Sequence, residues 1–202
     1  PRQEKSLRGL NYCRGSGTQA DETESDSSAI DQTMKETIPI VIYGHHQPGK
    51  LARLLEGLRL QSVQKMIFLL PSPERGKGWK STRSCRKIIN RVDWAETELH
   101  SWEIKDKEDS FIEQISQVFQ AYPWAIFLED GCLPLPGFVH FMHFGLEKYR
   151  NEERLFSISG YQPLTKNLRK EDRYAVLCSA RFNGFGWATW RDRWLEIQEE
   201  FS

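Results

Sequence analysis

The segment Trp124-Ala125-Ile126-Phe127-Leu128-Glu129-Asp130 decides how this chain is read. An apolar run meets a Glu-Asp pair, and Gly131, Pro134, Pro136 and Gly137 follow at once. A short apolar run bounded by turn formers reads as a buried strand. The two carboxylates then stand at its carboxyl end, the edge of an open α/β sheet where ligands bind. Two acids in such a place can hold a hard divalent cation, Mg or Mn, against the phosphates of a substrate. The plainer reading is a strand that leaves the core through a polar Asp-Gly turn. Both stay open at this point.

Outward from that segment the chain alternates. Ile38 to Tyr43 and Met66 to Leu70 read as apolar strands, and Leu99 to Ile104 as a third. Leu155 to Ser159 and Tyr174 to Cys178 are shorter candidates. Leu51, Leu54, Leu55 and Leu58 line one face of a helix over Lys50 to Leu60. Ser110 and Glu113 form a capping-box pattern before a helix carrying Phe111, Ile115, Val118, Phe119 and Tyr122. Gly137 to Arg150 and Ala188 to Glu200 complete the helices. Strands alternating with helices give an α/β fold with a mostly parallel central sheet covered on both faces.

The 202 residues suffice for one domain with a sizeable core, and 39% hydrophobic with 12% aromatic residues is ordinary globular composition. Residues 1–37 read as a disordered arm or linker, because Gly, Ser, Thr and Asp dominate and apolar residues are too sparse to offset ordering. Residues 38–202 are the globular part. Lys plus Arg equals Asp plus Glu, 28 each, so no global charge points to nucleic acid. Charge is segregated: Asp21 to Glu36 is acidic, and Arg75 to Arg91 is basic. The basic stretch reads as a solvated loop, with an acidic acceptor or membrane surface as the alternative. The four cysteines form no Cys-x-x-Cys, so zinc and redox motifs are not suggested. A reducing compartment fits, with two disulfides as the alternative. No apolar run approaches the ~18 residues of a membrane span.

Further candidates flank the carboxylates. Tyr43, Gly44, His45 and His46 follow the first strand and share its edge if the strands are parallel. Tyr43 is a candidate to stack on a base, and Gly44 to admit close backbone approach; the two histidines are ligands or ordinary polar loop residues. In Asn183-Gly184-Phe185-Gly186-Trp187, two glycines around an aromatic give a permissive loop. Trp187, Trp190 and Trp194 then recur at helical spacing, as core or as faces for a sugar ring.

Taken together, Leu128 to Phe138, Phe141-Met142, Gly145 to Tyr149, Phe156 to Tyr161 and Gly184 to Trp194 resemble bacterial sugar transferases of the GT-A fold. They are similar also to N-acetylglucosaminyltransferases of mannosyl glycoproteins. The resemblance is clear from Trp124 to Trp194, weaker from Ile38 to Leu70, and absent in the arm. It implies a Rossmann-like three-layer sandwich, a nucleotide-diphosphate sugar donor, a divalent metal and a glycan or lipid-linked acceptor, with inversion at the anomeric carbon. It places Glu129 and Asp130 on the metal and donor motif, Tyr43 and Gly44 on the nucleotide loop, and Gly160, Tyr161 and Gly184 to Trp187 near donor sugar and acceptor. The family carries a further acid where this chain has Gly131, and it continues beyond the position of Ser202. Asp192 is the candidate base within the chain. Bacterial relatives imply the cytoplasm, at the inner face of the membrane. A degenerate domain that binds a glycan or a partner enzyme is the alternative.

Overall fold

The computed structural model describes residues 37–44, 47–70, 72, 79–101, 107–161, 176 and 178–200. The chain divides into two units, Glu36–Tyr161 with Asn183–Ser202, and Pro1–Lys35 with Gln162–Phe182. The second contributes only residues 176 and 178–182 to the description, and within it the Arg181 N–H donates to Ser179 Oγ at 3.2 Å.

In chain order the elements of the first unit are β1 (Ile40–Tyr43), α1 (Pro48–Arg59), β2 (Lys65–Leu69), α2 (Trp79–Ile89), β3 (Glu96–His100), α3 (Lys107–Ala121), β4 (Trp124–Glu129), α4 (Phe138–Lys148), β5 (Ile158–Ser159), β6 (Trp187–Trp190) and α5 (Arg191–Glu200). One six-stranded sheet has the order β3-β2-β1-β4-β6-β5. The pairs β1–β2, β2–β3 and β1–β4 are parallel, whereas β6 runs antiparallel to both β4 and β5. The mostly parallel sheet read from the sequence is therefore present.

Alternation along the strands feeds two cores. Ile40, Ile42, Met66, Phe68, Ile126 and Leu128 face α1, α2 and α4. Val41, Ile67, Leu69, Ala125 and Phe127 face α3 and α5. That arrangement is a three-layer sandwich. α1 buries Leu51, Leu54, Leu55 and Leu58 and starts with a proline in its first turn, where a missing N–H is no loss. α4 starts after Gly137, whose φ of 87° is a left-handed value that suits glycine. Gln61 ties these two helices: its Nε2 donates to Gly57 O at 2.9 Å, and its Oε1 accepts the Val139 N–H at 3.0 Å. One of the orphan donors at the start of α4 is thereby satisfied.

Four expectations need correction. The basic stretch is not all loop, since Trp79–Ile89 is helix α2. Thr82, Cys85 and Ile89 form its buried stripe, while Lys80, Arg83 and Lys87 stay in water. The last helix does not begin at Ala188: Trp187–Trp190 is strand β6, and α5 starts at Arg191. Trp187 and Trp190 lie three residues apart, so a strand sends them to opposite faces. Trp187 joins the α3/α5 core, and Trp190 the other, where its Nε1 donates to Leu146 O at 3.1 Å. The third strand is Glu96–His100 rather than Leu99 to Ile104, and the strand expected over Leu155 to Ser159 shrinks to Ile158–Ser159. The arm and most of Tyr174 to Cys178 lie outside the described residues, as do His45 and His46.

Candidate functional site

The strand order turns back on itself between β1 and β4, because the chain winds from β1 outward to β3 and then returns to pair β4 on the other side of β1. In doubly wound sheets the crevice at the carboxyl ends of such a strand pair is the ligand site. Tyr43 pairs in register with Glu129, so Gly44 and Asp130 are the first residues beyond that edge. β6 runs the other way, and Phe127 pairs with Trp187. Gly184, Phe185 and Gly186 therefore arrive at the same edge that Glu129 and Asp130 leave. The two segments singled out in the sequence share one side of the sheet.

Asp130 is buried, with 5% of its surface exposed. Its N–H donates to Tyr43 O at 2.8 Å, and its Oδ2 accepts the Gln47 N–H at 3.3 Å. Gln47 is the N-cap residue of α1, and its own side chain makes no capping bond. Asp130 thus serves α1 from a distant segment, placing negative charge at the positive end of the helix dipole. A Cβ on Gly44 would lie 2.4 Å from Asp130 Cγ and 2.6 Å from Oδ2. Only a residue without a side chain lets the carboxylate lie against the backbone there.

Tyr43 is not free to stack on a base. Its ring packs on Phe111 with centroids 5.1 Å apart, and its hydroxyl donates to Gly184 O at 3.1 Å. Burial, ahead of the nearby Glu129 charge, pushes its phenol up to about 12 despite an opposing hydrogen bond with Trp187. The group is a neutral clasp between the end of β1 and the glycine loop. Trp187 also departs from its expected role: it is 4% exposed and stacks on Phe127 at 4.3 Å, so it is core and offers no face to a sugar.

The glycine loop borders a cleft. Gly186 has φ of 63°, and its carbonyl accepts the Gly160 N–H at 2.8 Å. A Cβ on Gly160 would lie 2.5 Å from Phe138 Cε2, so Gly160 is where the backbone and this ring come closest. Asn183, which the sequence reading did not single out, joins two loops: its Nδ2 donates to Tyr161 O at 3.1 Å, and its Oδ1 accepts the Phe185 N–H at 3.0 Å. Tyr161 and Phe185, both more than half exposed, meet edge to face at 5.7 Å. Together with Leu133, Leu135, Phe138 and Phe141 they line a cleft of about 430 Å³. That volume suits a small ligand. Among the described residues no Lys, Arg, His, Asp or Glu lines it. Cys132 also borders it as a free thiol, and burial pushes that thiol up, away from the reactive thiolate. The signal for the cleft was present in the sequence as Leu133, Leu135 and Phe138 beside prolines, but nothing local told these from ordinary core.

Asp192 does not belong to this site. It follows β6, whose last residue Trp190 pairs with Trp124 at the opposite edge of the sheet, and the neighbouring Arg191 N–H donates to Pro123 O at 2.8 Å. The length of β4, roughly 17 Å at the usual strand rise, separates the two edges. There Asp192 pairs with the buried Arg193 at 2.7 Å, and Arg193 also donates to the carbonyls of Arg150 and Leu155. It is a partner for a buried cation and not a base for the crevice.

A divalent cation needs oxygen ligands converging on one point. Among the described residues no group of three His, Cys, Asp or Glu does so. Glu129 ends β4 half-buried, but Asp130 turns its carboxylate to α1. Where the resembling family carries a further acid, a Cβ on Gly131 would stand 3.9 Å from Lys50 Nζ. A cation beside an ammonium group meets repulsion. Among the described residues the expected pair Glu129 and Asp130 is joined by no third His, Cys, Asp or Glu, and the Lys50 ammonium group stands beside Gly131.

Neither a family model nor a curated protein matches the chain. Solved structures do. The mannosyltransferase PcManGT from Pyrobaculum calidifontis, in complex with GDP-Man and Mn2+, is similar at a TM-score of 0.54 and 12% identity, over 84% of this chain and 48% of that one. The chain thus spans about half the length of that enzyme. A CMP:2-keto-3-deoxy-manno-octonic acid synthetase complexed with CTP is similar at a TM-score of 0.44 and 11% identity, over 80% of this chain and 78% of that one. The first likeness establishes the Rossmann-like GT-A architecture.

Proposed function

We propose that the chain is the donor-binding part of a transferase that moves a sugar from a nucleotide-diphosphate donor to a glycan or lipid-linked acceptor. One observation carries this reading: the β1–β4 crevice and the Gly184–Gly186 loop lie at one sheet edge, with an aromatic cleft beside them whose described lining carries no charged side chain. The nucleotide and its diphosphate belong over the carboxyl ends of β1 and β4. The acceptor belongs in the cleft, where Tyr161 and Phe185 present apolar faces of the kind that pyranose rings cover. The mannosyltransferase of like fold is a complex with GDP-Man, which supports a sugar-nucleotide as the ligand.

In the reaction an acceptor oxygen attacks the anomeric carbon, its proton passes to a base, and the sugar–phosphate bond breaks with its electron pair going to the diphosphate. Attack from the face opposite the leaving group inverts the centre. The chain's own part is to hold the donor at the crevice, fix the glycine loop through Tyr43 and Asn183, and keep water from the apolar cleft. Calorimetry of the full-length protein with GDP, UDP, CDP and dTDP tests the reading. Saturable binding of one of them supports it, and silence across the panel overturns it.

A degenerate glycan-binding domain is the second reading. The absence of any carboxylate among the described residues lining the cleft favours it. Transfer, or donor hydrolysis, by the full-length protein rejects it.

No helix among the described residues is long and apolar enough to cross a membrane.

A further inference from the structure

Lys50 is the second residue after Pro48 in α1, exposed, and carries its ammonium group toward the start of the Gly131 turn. Among the described residues it has no carboxylate partner. Asp130, the residue before Gly131, accepts the Gln47 N–H through Oδ2. Gly131 contributes no side chain between them, and a Cβ there would still leave 3.9 Å to both Lys50 Cδ and Nζ. Gly49 opens on free space, with nothing within 4 Å of an added Cβ. An unpaired cation thus borders open solvent at the point where the strand order reverses. The same point lacks a converging set of cation ligands among the described residues.

We propose that Lys50 supplies the positive charge that holds the diphosphate of the donor, in place of a divalent metal. The proposal rests on the donor-binding reading above and assigns the residue that reads the phosphates. An ammonium group is a compact charge on a flexible stem, with three donors that can follow a diphosphate as charge grows on it. Gly131 is then required for what it lacks. A carboxylate at that position would pair with Lys50 and withdraw it from the ligand.

The test is calorimetry of the full-length protein with the nucleoside diphosphate that binds best, in EDTA and again with Mn2+. Binding is expected to persist in EDTA. Lys50→Met is expected to weaken it about tenfold or more, Lys50→Arg to retain most of it, and the parent nucleoside to bind both variants alike. Gly131→Asp is expected to weaken metal-free binding by quenching Lys50. Unchanged circular dichroism and melting confirm that the variants are folded, and α1 exposes this side chain, so folding is expected to hold. Binding that requires Mn2+ and ignores Lys50→Met overturns the proposal while leaving the transferase reading intact. No diphosphate binding by the unmodified protein, with or without metal, overturns both.

Discussion

The hydroxyl of Tyr43 donates to the carbonyl of Gly184 at 3.1 Å, across 141 residues of sequence. That bond joins the end of the first strand to the glycine loop before the last one. Removing it with Tyr43→Phe keeps the ring against Phe111 and is expected to lower stability by about 1 kcal/mol. Loop opening should exceed that in effect on ligand affinity, because Gly184 borders the cleft through Phe185 and Gly186. Urea melts give the first quantity and acceptor binding the second.

The same residue sets an alkaline limit. Its phenol is held neutral, with its pKa raised from 10.0 to about 12. The folded state therefore holds this proton more tightly than the unfolded one, and the associated stability is complete below pH 10. It is lost as pH rises from 10 through 12. Denaturation midpoints across that window should fall more steeply for the unmodified protein than for Tyr43→Phe. Parallel curves contradict the assignment.

Gly44 has no room for a methyl group, since Asp130 Cγ lies 2.4 Å from the place of its Cβ. Gly44→Ala is expected to destabilise by roughly 1–3 kcal/mol, as overpacking does. Asp130→Gly in the same chain removes the obstacle, so the double variant should lose less than the sum of the two single losses. Strict additivity in a double-mutant cycle counts against the contact.

Asp192 makes the opposite case. It is two-thirds exposed at the far edge of the sheet. Asp192→Asn should leave any transfer rate of the full-length protein within about twofold, while relaxing the Arg193 pair by less than about 1 kcal/mol. A thousandfold fall in rate restores it as a base and refutes the separation of edges.

The aromatic rim is expected to matter for binding alone. Tyr161 is 53% exposed, so Tyr161→Ala removes little core. It should weaken binding of an oligosaccharide acceptor several-fold with little change in melting. A large melting change with intact binding shows that the residue is structural.

Much of this architecture was legible beforehand, for physical reasons. Ile38 to Tyr43, Met66 to Leu70 and Trp124 to Leu128 are short β-branched and aromatic runs closed by Gly or Pro, and the leucines of α1 keep a 3.6-residue period. Helix α2 was hidden because its cationic residues outweigh the buried Thr82–Cys85–Ile89 stripe. β6 was hidden because Trp187, Trp190 and Trp194 mimic a helical face, and pairing with β4 overrides that local pattern. The edge that unites Glu129 with Gly184 to Gly186 could be argued from strand order. Its clasps could not. Asp130, Tyr43 and Asn183 act through side chain to backbone bonds between segments, which leave no local spacing to read.

Backbone amide NMR of the full-length protein, titrated with GDP, UDP, CDP and dTDP, tests the site most directly. The account predicts that the diphosphate which binds shifts the amides of Gly44, Gln47, Lys50 and Gly131 together, at the carboxyl ends of β1 and β4. Shifts confined to the opposite edge, around Pro123 and Arg191, would contradict it.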